Sequence, residues 1–425
     1  MKSILKSTLV IILFIGCIGF VLMSGDQLVR KNHIWSDQEG YYLYLPALMI
    51  YGDFKELPIR SKKVFEFENQ NGEKYVYTKY TYGVALMQLP FFLIVHLFQK
   101  VFNPLEATGY SMAYSQMIWI AALAYVLCSL WMLYRILRHN WSAGISAITT
   151  GLLFFGTNLL HYTIGEPGMS HAYSFFLLTL LLTLTEKQLK HPDKRWLVFW
   201  IILILSLIFL IRPVNVIVAI YPLFRLWHVY WGKLRSNGIF IINALLLAGL
   251  LIFLQLVLWK EMTGSWTWYS YMHEPGFIYW TRPRLLSVLI SIENGWFIYT
   301  PLAMFMILGL VSGLAKFKKQ FISIGMIFCV IWYISSSWWK WNFGMAFGYR
   351  PFIEYYALLA LPLAYILDRI YSWKNRFPRI ATSIILILLV FINIGLTDRY
   401  GAPWEGESWN WNSFLTILKS VFLFQ

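Results

Sequence analysis

Three features of this 425-residue sequence predict an all-α, polytopic membrane fold of about eleven transmembrane helices: its composition, its apolar runs and the placement of its charge. Hydrophobic residues make up 59% of the chain and charged residues only 13%, against about 25% charged in a soluble domain. Runs of 18 or more apolar residues recur along it, longer than buried strands or core helices need. The same figures exclude a disordered chain, a collagen-like fibre and a disulfide scaffold. Cys17, Cys128 and Cys329 each lie inside an apolar run and read as small core residues.

The spans fall at 4–23, 110–134, 143–161, 169–185, 197–211, 213–227, 238–259, 296–314, 321–337, 355–371 and 380–397. In the first, Lys2 and Lys6 precede an apolar stretch, Leu9 to Met23, that could be a signal peptide. No A-x-A-like cleavage site follows it, and it reads as an uncleaved span. Val84 to Val101 is ambiguous, and counting it as a crossing would invert every later loop. If it does not cross, the inside segments hold eighteen basic residues and only three acids, Glu186, Asp193 and Asp368. That surplus equals the formal net charge of +15, and the other face is neutral. By the positive-inside rule the N-terminus is then inside and the C-terminus outside. Val84–Val101 lies along the outer interface or re-enters, bent at Pro90. The high isoelectric point is thus a sign of topology. Eighteen bases split over six short segments form no groove for nucleic acid.

This gives one membrane domain over 1–425: the first span (1–23), a long outer loop with juxtamembrane helices (24–109), ten further spans (110–397) and an outer interfacial tail (398–425). No internal repeat and no paired Gly/Pro-broken spans are visible. The outer loops 24–109, 260–295, 338–354 and 398–425 are rich in aromatic residues, among them Trp266, Trp268, Trp338 and Trp339. A headgroup-level belt would account for many of them, but a belt needs no acids, and Asp37, Glu39, Glu166, Glu274, Glu293 and Glu354 are interspersed.

The candidate site residues come from these loops. Asp37 and Tyr41 are one helical turn apart and share a face, whereas Glu39 points elsewhere. Asp37 is therefore the favoured catalytic carboxylate, Glu39 the alternative, and a helix N-cap the structural reading. Lys79 and Tyr80 come from the same loop. Glu166 and His171 sit at the mouth of two spans, as cleft-lining groups, a hydrogen-bonded pair or two metal ligands with no third in evidence, so a divalent metal stays open and no cofactor is assigned. Arg212, next to Pro213 and near Asn215, costs on the order of 3 kcal/mol at membrane depth and needs a partner. An outer acid or a ligand phosphate would serve. Arg282, Arg284, Glu293, Asn294, Trp338, Lys340, Arg350 and Glu354 follow, with Arg350 and Glu354 spaced to pair with each other on a helix.

In order and sidedness these features resemble the GT-C membrane glycosyltransferases that use polyprenyl-phosphate sugars, in particular the protein mannosyltransferase and lipid A aminoarabinose transferase group. The likeness is carried by Asp37-x-x-x-Tyr41, by Tyr80-Thr81-Tyr82-Gly83 through Pro90, by Glu166 in its span–turn–span and by Arg212-Pro213. Two departures stand out. Gln38 separates Asp37 from Glu39 where the family often has an adjacent Asp-Glu pair. Trp338-Trp339-Lys340 lacks the acid of the oligosaccharyltransferase Trp-Trp-Asp motif, which disfavours peptide N-glycosylation.

The resemblance implies transfer of a sugar from a lipid-linked donor to a hydroxyl of a glycan, lipid or protein, with inversion, at the outer face of a bacterial inner membrane. Asp37 would be the base. Arg212, Arg282, Arg284, Lys340 and Arg350 would bind the donor phosphate, and Tyr41, Lys79, Tyr80, Glu166, His171, Asn215, Glu293, Asn294, Trp338 and Glu354 would line the cleft. Membrane lipids would be further partners. A transporter or flippase of a lipid-linked or anionic solute is the main alternative, disfavoured by the clustering of charge at one mouth.

Overall fold

A computed structural model describes residues 32–423 apart from 56, 59–63, 69–73, 231–233, 273, 402–403 and 405–407. The predicted first span, 4–23, lies outside the described residues. The rest is mostly helical, in this order: α1 (Ser36–Tyr42), α2 (Gly83–Phe102), α3 (Met112–Leu137), α4 (Ala143–Phe155), α5 (Leu159–Ile164), α6 (Ser170–Lys190), α7 (Trp196–Ile211), α8 (Ile220–Tyr230) and α9 (Leu234–Thr263). The chain continues with α10 (Leu285–Ile290), α11 (Trp296–Tyr299), α12 (Ala303–Ser312), α13 (Lys318–Ser336), α14 (Tyr356–Tyr371), α15 (Arg376–Asp398) and α16 (Trp411–Leu423).

Five described helices are long and apolar enough to cross a membrane: Gly83–Phe102, Met112–Leu137, Gly238–Thr263, Lys318–Ser336 and Arg376–Asp398. Apolar side chains remain exposed along α9 (Leu245, Leu246, Phe253) and α15 (Ile384, Ile387, Leu388), as lipid-facing helices require. The protein is an integral membrane protein. In contrast, α6 and α14 are buried almost all round, which marks them as central helices. Thr179, Thr183 and Thr185 on α6 each donate to the carbonyl four residues back, at 2.7–2.8 Å, so their hydroxyls sit in the bundle without unmet hydrogen bonds.

Several predicted spans are interrupted. Span 143–161 breaks after Phe155 at Gly156, where Thr157 turns its hydroxyl onto the Leu153 carbonyl. Span 296–314 breaks at Thr300–Leu302, around Pro301, and the segment after Arg212 opens as a 3-10 helix, Pro213–Ala219. Proline lacks the amide that an uninterrupted helix would use.

The all-α expectation also needs correcting. The first outer loop contains an antiparallel hairpin, Val64–Glu68 (β1) paired with Lys74–Thr78 (β2). Its signal is in the sequence: Val64-Phe65-Glu66-Phe67-Glu68 alternates with the strand period. α2 leaves this loop beside the end of α7 and runs antiparallel to the first half of α3. The Tyr125 hydroxyl donates to the Met87 carbonyl (2.8 Å), and His96 Nδ1 lies 2.7 Å from the Tyr114 hydroxyl. The tail is docked firmly: Trp409 Nε1–H bonds the Tyr299 hydroxyl (3.0 Å), its ring stacks on Trp404, and Arg399 holds Ser420 (3.0 Å).

Packing of α12 on α14 depends on Gly309, where an added Cβ would collide with the Pro362 carbonyl. Gly249 on α9 faces open space. Gly309→Ala should therefore lower the melting temperature in detergent, with an overpacking cost of about 1–3 kcal/mol. Gly249→Ala should be neutral or stabilising by up to about 1 kcal/mol from helix propensity. Equal effects of the two would contradict this packing.

Candidate active site

The polar cluster is assembled where α1, the start of α6, the end of α7 and the start of α14 meet. α1 begins at Ser36, in left-handed conformation (φ 52°), and is pinned from three directions. The Tyr42 hydroxyl donates to the Gly109 carbonyl at 2.6 Å. Gln38 Oε1 accepts from the Gly168 amide at 2.6 Å, an approach open only to glycine, because a Cβ at 168 would lie 2.7 Å from the Gln38 side chain. The Tyr41 ring stacks on Tyr80 at 4.0 Å, and its hydroxyl contacts Ser170 Oγ at 3.3 Å. The rigid α1 carries Asp37 on its accessible side, while Glu39 is fully buried.

Asp37 Oδ2 lies 3.8 Å from Arg350 Nη2, each side chain 18% exposed. That distance is an ion-pair contact and is too long for a hydrogen bond. Arg350 does not pair with Glu354, as helical spacing allowed. It leads a short 3-10 turn, Arg350–Phe352, and sits over the Phe343 ring, 5.9 Å from its centroid. Burial works against its charge, but Tyr162, Asp37, Glu166 and Tyr80 more than compensate and raise its basicity above the usual arginine value. Glu166, which the sequence places near His171 as a candidate pair, therefore acts on Arg350.

Glu354 is completely buried. Its Oε1 accepts from Arg212 Nη1 (2.8 Å) and Asn215 Nδ2 (3.2 Å), and its Oε2 lies 3.0 Å from His171 Nδ1. The bond to the carboxylate places a proton on His171 Nδ1. The 3.3 Å approach of Arg212 Nη1 to the same nitrogen is then a close contact between two donors. The Tyr355 hydroxyl donates to Asn215 Oδ1 at 2.9 Å and completes the network. Burial raises the Glu354 carboxyl, but Arg212 and then His171 outweigh it, and the group is held below the ordinary glutamate range.

The remaining predicted residues form the walls. Lys79 pairs with Glu274, whose other oxygen accepts from Trp339 Nε1 at 3.1 Å, and this joins the hairpin loop to the 260–295 and 338–354 loops. Trp338 packs against Tyr271 and Phe277. Glu293 accepts from Asn342 (2.9 Å), and Asn294 donates to the carbonyls of Asn342 and Gly344 (both 2.8 Å). These two hold the loop that carries Lys340 and do not enter the carboxylate–arginine cluster. Arg282 and Arg284 are exposed, with Arg284 lying over the Tyr279 ring at 4.6 Å. Neither forms an ion pair among the described residues. Among the same residues, no three His, Cys, Asp or Glu side chains converge as a metal-ligand set.

Tyr162, Tyr271, Glu274 and Tyr355 were not among the candidates. Tyr271 is buried where it senses Tyr41, Arg212, Glu274 and Asp37, and Tyr162 meets His171 edge to face at 4.9 Å. Tyr162 follows directly on a predicted span, and nothing local distinguishes it from a belt residue.

This architecture is the GT-C fold. The crystal structure of ArnT from Cupriavidus metallidurans in the apo state superimposes on 96% of this chain and 73% of its own, with a TM-score of 0.51 and 15% sequence identity. No protein-family model and no curated protein sequence matches the chain.

The Glu354 network sets a stability–pH expectation. A carboxyl whose folded pKa is depressed stabilises fully above its unfolded value, and loses that contribution as pH falls through the folded value. Glu354→Gln should cost about 3 kcal/mol at neutral pH, the lower end for breaking a buried pair, because Arg212 keeps some water contact. The difference in melting temperature from wild type should shrink only below about pH 4.5, the ordinary glutamate range. A gap already closing at pH 6 would contradict the assignment.

Proposed function

We propose that the chain is a membrane glycosyltransferase that moves a sugar from a polyprenyl-phosphate donor to an acceptor hydroxyl on a glycan, lipid or protein. Eleven spans, with the N-terminus inside, place the cluster on the extracytoplasmic side of what we take to be a bacterial inner membrane. α2, which pairs with only the first half of α3, is read as not crossing, and this keeps the basic loops inside.

The observation that carries the reading is the Asp37–Arg350 contact. It sets a part-exposed carboxylate beside a part-exposed guanidinium at the mouth of an apolar bundle. In the proposed reaction the donor's prenyl tail stays in the bilayer and its phosphate lies against Arg350 and Arg212. Lys340, Arg282 and Arg284 supply further positive charge from the outer loops. The acceptor oxygen attacks the anomeric carbon while its proton passes to an Asp37 oxygen. The carbon–oxygen bond to phosphate breaks, and polyprenyl phosphate leaves with the electron pair. Guanidiniums fixed in a site poor in water stabilise the negative charge that develops there. One displacement inverts the anomeric centre. An ionised aspartate suffices as base. Glu39 is fully buried and out of reach of an acceptor, and Glu354 is committed to Arg212 and His171.

With purified protein and a panel of polyprenyl-phosphate sugars, Asp37→Asn should reduce release of polyprenyl phosphate by at least about 100-fold. Donor binding and melting temperature should change little. Arg350→Lys, which keeps the charge but loses the planar fork, should weaken donor binding. A fully active Asp37→Asn variant would refute the mechanism.

A further inference from the structure

A second concentration of charge lies at the other end of α6. His171, in the cluster described above, and Lys190, at the helix C-terminus, are nineteen residues apart, about 28 Å along a helix axis. That nearly matches the hydrocarbon thickness of about 30 Å. Here a cavity of about 350 Å³ is lined by Lys190, Arg225, Lys316, Lys318, Lys319 and Glu186, together with neutral and aromatic neighbours.

Basic residues at the inner ends of spans are expected from topology alone, and as such they would be solvated and dispersed. Three observations separate this cavity from that expectation. First, its cations converge from α6, α8, the α12–α13 connection and the first turn of α13 onto one half-open volume. Second, the only carboxylate among the lining residues is already engaged. Glu186 accepts from Arg225 Nε and Nη2, both at 3.0 Å, and from the Tyr221 hydroxyl at 2.6 Å, with Gln320 Nε2 at 3.4 Å. It therefore fixes Arg225 in place, and it is one negative charge against five positive ones. Third, α13 begins at Lys318, so the first turn of a nineteen-residue helix, with its unsatisfied amides and partial positive charge, forms part of the wall. His139, which also lines the cavity, registers the excess: burial and then Lys190 lower its basicity.

We propose that this cavity binds a phosphate group, carried by the headgroup of an anionic membrane lipid or present as free phosphate. A rigid guanidinium set among mobile ammonium groups suits phosphate oxygens. Basic pockets between helices at the inner side of membrane proteins are suited to lipid headgroups, and the depth of the cavity places it at headgroup level of the leaflet opposite the first cluster. This inference does not depend on the proposed transfer reaction, and its test reads binding alone.

The test uses full-length protein in detergent. Native mass spectrometry follows retention of phosphatidylglycerol against zwitterionic phosphatidylcholine, and calorimetry at matched ionic strength follows inorganic phosphate. The variants are Lys190→Gln with Lys318→Gln, both exposed positions, and a control pair on another inner loop, Lys374→Gln with Arg376→Gln. If a lipid is the source, the wild type should retain phosphatidylglycerol selectively, the cavity pair should lose at least 5-fold, and the control pair should not. If free phosphate is the source, saturable phosphate binding should show the same pattern. Replacing both lysines by arginine should restore binding, which separates loss of charge from loss of fold. The proposal is overturned if neither ligand distinguishes wild type from the cavity pair, or if the control pair loses as much.

Discussion

One buried carboxylate organises the polar end of this bundle. Glu354 has no contact with water, and an unpaired charge there would cost several kcal/mol. Its two oxygens are shared by Arg212 from the end of α7, Asn215 from the 3-10 turn that follows, and His171 from the start of α6. Three chain segments are thereby fixed relative to the start of α14. Because Glu354 is satisfied from these directions, Arg350, four residues earlier, is not drawn into a local pair and faces α1. The Asp37–Arg350 contact thus depends on Glu354 being held elsewhere.

The arrangement fits the apolar character of the surrounding bundle. Polar groups inside it are bonded within their own helix, as the α6 threonines are, or to a neighbouring helix, as Tyr125 is to Met87, and the charged groups described above gather at two ends. α6 links the ends, with His171 in one charged cluster and Lys190 in the other. At the first end the acids outnumber the guanidiniums; at the second a single acid is surrounded by cations. The opposite balance of the two ends is the three-dimensional counterpart of the charge asymmetry along the sequence.

Much of the first cluster could be read from residue type. Arginine, glutamate, histidine and asparagine bounding apolar runs are costly unless partnered, so Arg212, Asn215, His171 and Glu354 stand out in the sequence without any structure. Their pairing does not. The i, i+4 spacing of Arg350 and Glu354 predicts a mutual bond, but their segment is a 3-10 turn followed by a helix start, and partners 142 and 183 residues distant take the carboxylate. The same limit applies to Glu166 and His171. The hairpin strands at 64–68 and 74–78 had a legible alternation that the surrounding helical pattern obscured, and the break at Gly156 is marked only by Gly156-Thr157-Asn158 between apolar residues, too short a signal to divide a span. Arg282 and Arg284 carry the same sequence signal as Arg212 but lie at the surface, because a loop arginine is free to extend into water, whereas Arg212 at a span end is mostly covered and bonds Glu354.

Charge balance gives the exposed loop cations a reason to matter. Asp37, Glu166 and Glu354 are three carboxylates set around Arg212 and Arg350, and His171, deeply buried, adds positive charge only if protonated. A phosphate arriving at the mouth would bring further negative charge to a site where acids already exceed guanidiniums. Arg350 alone does not resolve this, since Asp37 and Glu166 already favour its charge. Additional positive charge must accompany an anionic ligand. Lys340 is on a loop braced by Glu293 and Asn294, and Arg282 and Arg284 stand on the neighbouring one. On this argument the braces at Glu293 and Asn294 matter because they fix where that loop's cation can reach. An anion would be bound securely only when the outer loops close over it, or when a cation from solution takes their place.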